Sequence, residues 1–196
     1  MLRSLSPQVR LLVTISLLTT FAESMLVPMY AAFTERVGGS ILDAGIAFAC
    51  FSMATGVFVS LVGTRPFFQR HVKVFLALGF LGSACCDISY IFVQNRWQLF
   101  GAQVIAGLAT GLIEPAWDSL FTDAIEHSSA KHWSIWYGST HLIAGAAALI
   151  GGIVVAYSSF TVLFVSMGLI DIVATLVAWR GDLPSDATAT AGDSAD

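Results

Sequence analysis

Glu23, Glu114, Asp118 and His141 are titratable side chains that stand inside long hydrophobic runs. Charge within a bilayer is costly, so such a group is by default a functional position. A carboxylate at that depth can take a proton in exchange for a solute, or pair with a cationic one. Glu114 and Asp118 are four residues apart and share one helical face. His141 sits one to two turns inside its own run, at a depth close to that of Glu114. A Glu114–His141 pair would titrate in a complementary way. The plainer alternative is a neutral histidine bonded to a serine or a backbone carbonyl. An approach of Asp118 to Tyr137 across the same two helices is equally permissible.

The elements that must carry these groups are membrane helices. The 196 residues are 56% hydrophobic and 11% charged, with a mean hydropathy of +0.78. A soluble domain carries roughly 25% charge. Six spans read from the sequence: about 11–33, 44–62, 72–93, 97–121, 134–156 and 160–179. Each approaches the roughly 20 residues that cross a hydrocarbon core. The fold class is therefore all-α, with six transmembrane helices. Residues 1–10 form an N-terminal segment. Residues 180–196, rich in Asp, Ala, Thr and Ser, read as a disordered tail. Thr20-Phe21-Ala22 resembles a weak signal-peptide cleavage site. The apolar pattern continues past it to Phe33, and one long helix explains the whole stretch.

Basic residues set the orientation. With the N-terminus inside, Arg3, Arg10, Arg65, Arg70, Lys73, Lys131 and Arg180 fall inside, and only Arg36 and Arg96 outside. Both termini are expected to face the cytoplasm, in a multi-pass protein of the cytoplasmic membrane. Trp97, Trp133 and Trp179 fall at expected interfaces. Gly101, Gly107, Gly111, Gly138, Gly145, Gly151 and Gly152 read as sites of close helix packing. Pro28 and Pro115 each remove a backbone donor and should bend their helices.

Other chemistry finds little support. There is no Gly-x-Ser-x-Gly elbow, His-Glu-x-x-His motif or Walker lysine, so no enzyme is expected. Cys50, Cys85 and Cys86 lack metal spacing and read as small hydrophobes. Glu126, His127 and His132 read as solvated loop residues rather than a metal site. No cofactor and no metal are expected. No basic cluster suggests nucleic acid.

The six spans, the glycine-rich fourth and fifth helices and the basic loop after the second helix resemble one half of a major facilitator superfamily transporter, over about residues 10–180. That family's loop motif typically reads Gly-x-x-x-Asp-Arg-x-Gly-Arg-Lys. Here Gly63, Arg70 and Lys73 survive and the Asp position falls on Phe67. In helix four the family often has Arg four residues before a Gly; here Gln103 precedes Gly107. In helix five, Ala147-Ala148-Leu149-Ile150-Gly151-Gly152 keeps only the second glycine pair of Gly-Pro-x-x-Gly-Gly.

The resemblance implies two inverted three-helix repeats. Helices one, two, four and five would face a central pathway, with three and six at the periphery. Asp87 and Asp171, on those two helices, should not face lipid; they are expected to be structural, facing protein neighbours or a partner chain. Glu23 with Pro28 and Glu114 with Pro115 occupy the first helix of each triple, where interrupted helices point to a transport site. Glu23 is about twelve residues into its span, so about 18 Å deep and near the midplane. The expected function is movement of a small molecule by alternating access. A six-helix half exposes one cavity wall, so a homodimer or a separate six-helix half is the expected partner. The alternative is a non-transporting scaffold, an assembly factor or the remnant of a full-length transporter.

Overall fold

A computed structural model of the protein describes residues 5–125 and 129–183. Eight α-helices follow in order: α1 (Pro7–Leu26), α2 (Tyr30–Arg36), α3 (Ile41–Val62), α4 (Pro66–Gln69), α5 (Val72–Ser89), α6 (Arg96–Ala124), α7 (Ser129–Tyr157) and α8 (Phe160–Arg180). Short 3-10 turns at Val27–Met29 and Tyr90–Phe92 extend α1 and α5. Among the described residues, six stretches are long and apolar enough to cross a membrane: Pro7–Arg36, Ile41–Val62, Val72–Phe92, Arg96–Ala124, Ala130–Tyr157 and Phe160–Arg180. They are called here the first to sixth spans. Much of the expected tail, from residue 184, lies outside the described residues, as do Glu126 and His127.

Polar caps set the starts of the helices. Ser6 Oγ accepts from the Val9 amide at 3.3 Å. Asn95 Oδ1 accepts from Gln98 at 3.0 Å, and Ser159 Oγ from Val162 at 3.2 Å. Ser40 and Asp43 form a reciprocal capping box. Each cap supplies a partner to an amide that the first turn leaves unpaired. The second span thus begins at Ile41, three residues before the purely apolar run.

The spans pack in a pattern with internal two-fold symmetry. The second packs on the fourth and the fifth on the first; the third packs on the fourth and the sixth on the first; the third and sixth pack on each other. Exchanging spans one to three for four to six maps each of these contacts onto another. Because each triple has an odd number of crossings, consecutive triples enter the membrane from opposite sides. This is the arrangement of inverted repeats.

Close packing is concentrated at particular glycines. A Cβ on Gly107 would lie 2.5 Å from the Phe51 carbonyl oxygen, and one on Gly111 would lie 3.0 Å from Phe58. Thr55 Oγ1 donates to the Gly107 carbonyl at 3.1 Å across the same interface. A Cβ on Gly151 would collide with the Met25 backbone. Gly152 meets only Met29 Cε, at 3.7 Å, and Gly101, Gly138 and Gly145 have nothing within 4 Å. The small-residue stripe is therefore broader in sequence than the contact it serves.

The two prolines differ. Pro28 lies in the 3-10 turn that separates α1 from α2. By contrast, α6 runs unbroken from Arg96 to Ala124 with Pro115 inside it. Pro115 instead offers its Cβ to the end of the second span, 3.5 Å from where a Gly63 side chain would begin.

Two core clusters follow. One lies towards the side where the described chain begins and ends, around Val9, Leu12, Leu76, Trp117, Leu120 and Phe121. There Trp117 stacks on Phe121 at 4.4 Å and on Trp136 at 4.5 Å. Trp133, expected at an interface, joins this cluster, 5.0 Å from Phe121. Fourth and fifth spans meet through these rings. The other cluster lies towards the opposite side, where Phe33 contacts Phe160 at 5.3 Å and Phe164 at 4.8 Å.

Candidate transport site

The first span carries Glu23 one turn before the Pro28 break, with its side chain left uncovered by the rest of the chain. It opens into a cavity of about 370 Å³. Asp87 of the third span and Asp171 of the sixth line the same cavity. Asp87 is 9% exposed and Asp171 1%. Each is near enough to Glu23 to feel its charge, and Asp87 also feels Asp171. The Oδ1 of Asp171 is buried without a hydrogen-bond partner. Buried polar atoms are normally satisfied, so such an atom calls for an explanation.

The resemblance sets these two acids on peripheral helices, facing protein neighbours; they are buried in the bundle and also line the cavity. The third and sixth spans pack on each other, and their acids turn inward to the cavity. The signal that could have found them is the repeat itself. Asp87 and Asp171 sit on the third helix of each triple, and those two helices meet across the two-fold.

Glu114 and Asp118 continue the row. Glu114 lies within electrostatic reach of Glu23, and Asp118 within reach of Glu114. Both side chains are exposed on the bundle. Acids therefore run from the cavity along the first and fourth spans towards the aromatic cluster.

His141 is also exposed, but no hydrogen bond or ion pair joins it to Glu114 among the described residues. The first span lies between, packing on the fifth along its length. Fourth and fifth spans touch through rings at one end: Trp117 and Phe121 against Trp133 and Trp136. Tyr137 joins those rings, 4.5 Å from Trp136, and makes no hydrogen bond to Asp118 among the described residues. Matching depth on two helices was not enough to pair the side chains.

Gln103 was singled out only as a departure from a motif. It is buried, lines the cavity and donates through Nε2 to the Tyr30 hydroxyl at 2.6 Å. The bond ties the fourth span to the short helix beyond Pro28. Tyr30→Phe should leave that amide without its acceptor and destabilise the protein by about 1 kcal/mol. Unfolding in mixed micelles checks this; an unchanged midpoint would remove the bond from the account.

Six apolar helices in two inverted triples, around a cavity faced by mid-span acids, define a polytopic membrane protein of the transporter type. The model of the Major Facilitator Superfamily matches residues 12–195, and the chain belongs to that family. It is also 23% identical over 166 residues to a protein of Bacillus subtilis (strain 168) named Uncharacterized MFS-type transporter YitZ, covering 82% of this chain and 98% of that one. The aligned stretch is thus nearly the whole of the relative, which is comparably short. Family membership makes this an integral, multi-pass membrane protein with a general role in transport of small molecules.

Proposed function

We propose that the chain moves a small molecule by alternating access, using the acid-lined cavity, and that it does so paired with a second six-helix half. One observation carries the reading. Glu23, Glu114, Asp118 and His141 lie within spans yet are left uncovered by their own chain. Charged groups at that depth cannot be left to hydrocarbon. Protein and a water-filled route must cover them, and a second half supplies both. An identical chain in the same orientation gives a two-fold axis along the membrane normal. The excess of Lys and Arg in the loops on the side of the termini supports a cytoplasmic placement for both ends.

Glu23 and Glu114 serve as the exchangeable charges of the pathway. Asp118 extends it towards the terminal side. His141 stands on the same uncovered face, where it would meet the second half rather than Glu114. The bend at Pro28 and the close approaches at Gly107, Gly111 and Gly151 hold the wall in shape.

The test has two parts. Native mass spectrometry from native lipid should show a dimer or a complex with another six-span chain. In proteoliposomes screened for solute uptake, Glu23→Gln with Glu114→Gln should reduce the flux of any accepted solute at least tenfold with little change in thermal stability. A stable monomer would sink the pairing. Flux indifferent to the double substitution would sink the role of the acids, and a chain that carries nothing is the scaffold of the alternative reading.

A further inference from the structure

The Asp171 carboxylate is the strongest anomaly in the molecule. It is almost wholly buried in the sixth span, lines the cavity, and has an oxygen without a partner. Asp87 and Glu23 face the same space from the third and first spans. No lysine, arginine or histidine lines the cavity among the described residues. Three acids and no base line the space among the described residues, so the wall itself supplies no positive charge. A buried carboxylate in such a place is either protonated or meets a counter-charge, and a cation entering the cavity would supply the second.

The rest of the wall selects the kind of counter-charge. Tyr30, Phe48, Phe51 and Tyr90 offer ring surface, and Met167 a polarisable sulfur. Aromatic faces attract cations, most strongly when water is excluded. Among the described residues, no three acid, histidine or cysteine side chains converge tightly enough to hold a metal ion. The acids instead ring a space of about 370 Å³, within the range that holds small organic ligands. A compact inorganic ion would reach one acid and leave the apolar wall unused.

We infer that Glu23, Asp87 and Asp171 form a binding site for a monovalent organic cation with an apolar body. Asp171, with Asp87 beside it, holds the charge at the buried end. Glu23 meets the cation at the mouth, and the rings enclose its apolar part. This deepens the transport reading of the same cavity and rests on it, since a site that binds without releasing to either side would be a receptor.

The test is equilibrium binding to the full chain in lipid nanodiscs. The probes are tetraphenylphosphonium and tetraphenylborate, near-identical in shape and opposite in charge. Saturable binding is expected for the phosphonium and not for the borate. Asp171→Asn and Asp87→Asn should each weaken phosphonium binding tenfold or more. Glu35→Gln, an acid on α2 outside the cavity lining, should leave it unchanged. Because Asp171 is buried, its variant can fail by misfolding. Glu23→Gln keeps the shape of an exposed side chain and removes only its ionisable group, and should weaken binding several-fold with an unchanged melting profile. Equal binding of both probes, no saturable binding, or binding indifferent to Glu23→Gln and Asp87→Asn in folded protein would overturn the inference. Phosphonium binding without any solute flux would keep this site and remove the transport reading. Flux of a neutral solute without phosphonium binding would do the reverse.

Discussion

Gly151→Ala should destabilise the protein by about 2–3 kcal/mol, the cost of overpacking a contact that cannot relax. The added methyl would occupy the space of the Met25 main chain. A side chain in the way can rotate; a helix backbone can only withdraw. The first and fifth spans would have to separate along one of the main interfaces of the bundle. The comparison is Gly145→Ala, on the same helix, where nothing lies within 4 Å. There the only change is helix propensity, so alanine should be neutral or stabilising by about 0.5–1 kcal/mol. Unfolding of both variants in mixed micelles checks this. Equal behaviour would show that the first and fifth helices do not touch at Gly151.

The second large effect is expected at Trp117. Its ring stacks on Phe121 and Trp136, and its Nε1 donates to the Leu12 carbonyl at 3.3 Å. It therefore joins the fourth span to the first and the fifth. Trp117→Ala leaves a cavity in a dense core and should cost about 3 kcal/mol, the low end for removing a large ring because lipid already shelters apolar surface. Trp179→Ala, at a ring 59% exposed, should shift the unfolding midpoint little. If Trp117→Ala behaves like Trp179→Ala, the rings do not hold this end together. The neighbouring Trp136 stacks on the same ring and donates to Ser16 Oγ at 2.8 Å; each single substitution already removes the shared contact, so loss of both rings should cost less than the sum of the two.

The six crossings were legible because length and apolarity alone specify them. Their starts were less so, since Ser40 and Asp43 look like loop until their reciprocal bonds are seen. Glu23 was legible from its depth in the run. The sequence sets Asp87 and Asp171 against protein neighbours but does not show that they share a cavity with Glu23, and the reason is physical. In a bilayer both faces of a helix are apolar, so periodicity says little about which way a lone acid points. Only the contact between third and sixth spans brings the two together. His141 shows the converse error: equal depth says nothing about the angle around the bundle. Gly145 and Gly151 lie six residues apart on one helix, and sequence cannot say that only Gly151 meets a backbone.

The break at Pro28 divides the first span between two masters. Below it, Met25 is held against Gly151 of the fifth span. Above it, Phe33 is set among Tyr90, Phe160 and Phe164 of the third and sixth. A proline gives up one helical hydrogen bond and so leaves a compliant joint. The two halves of the first span are thus tied to different neighbours, with Val27–Met29 between them. Tyr30 follows this joint and Glu23 precedes it, so two side chains that line one cavity belong to separate halves of the first span.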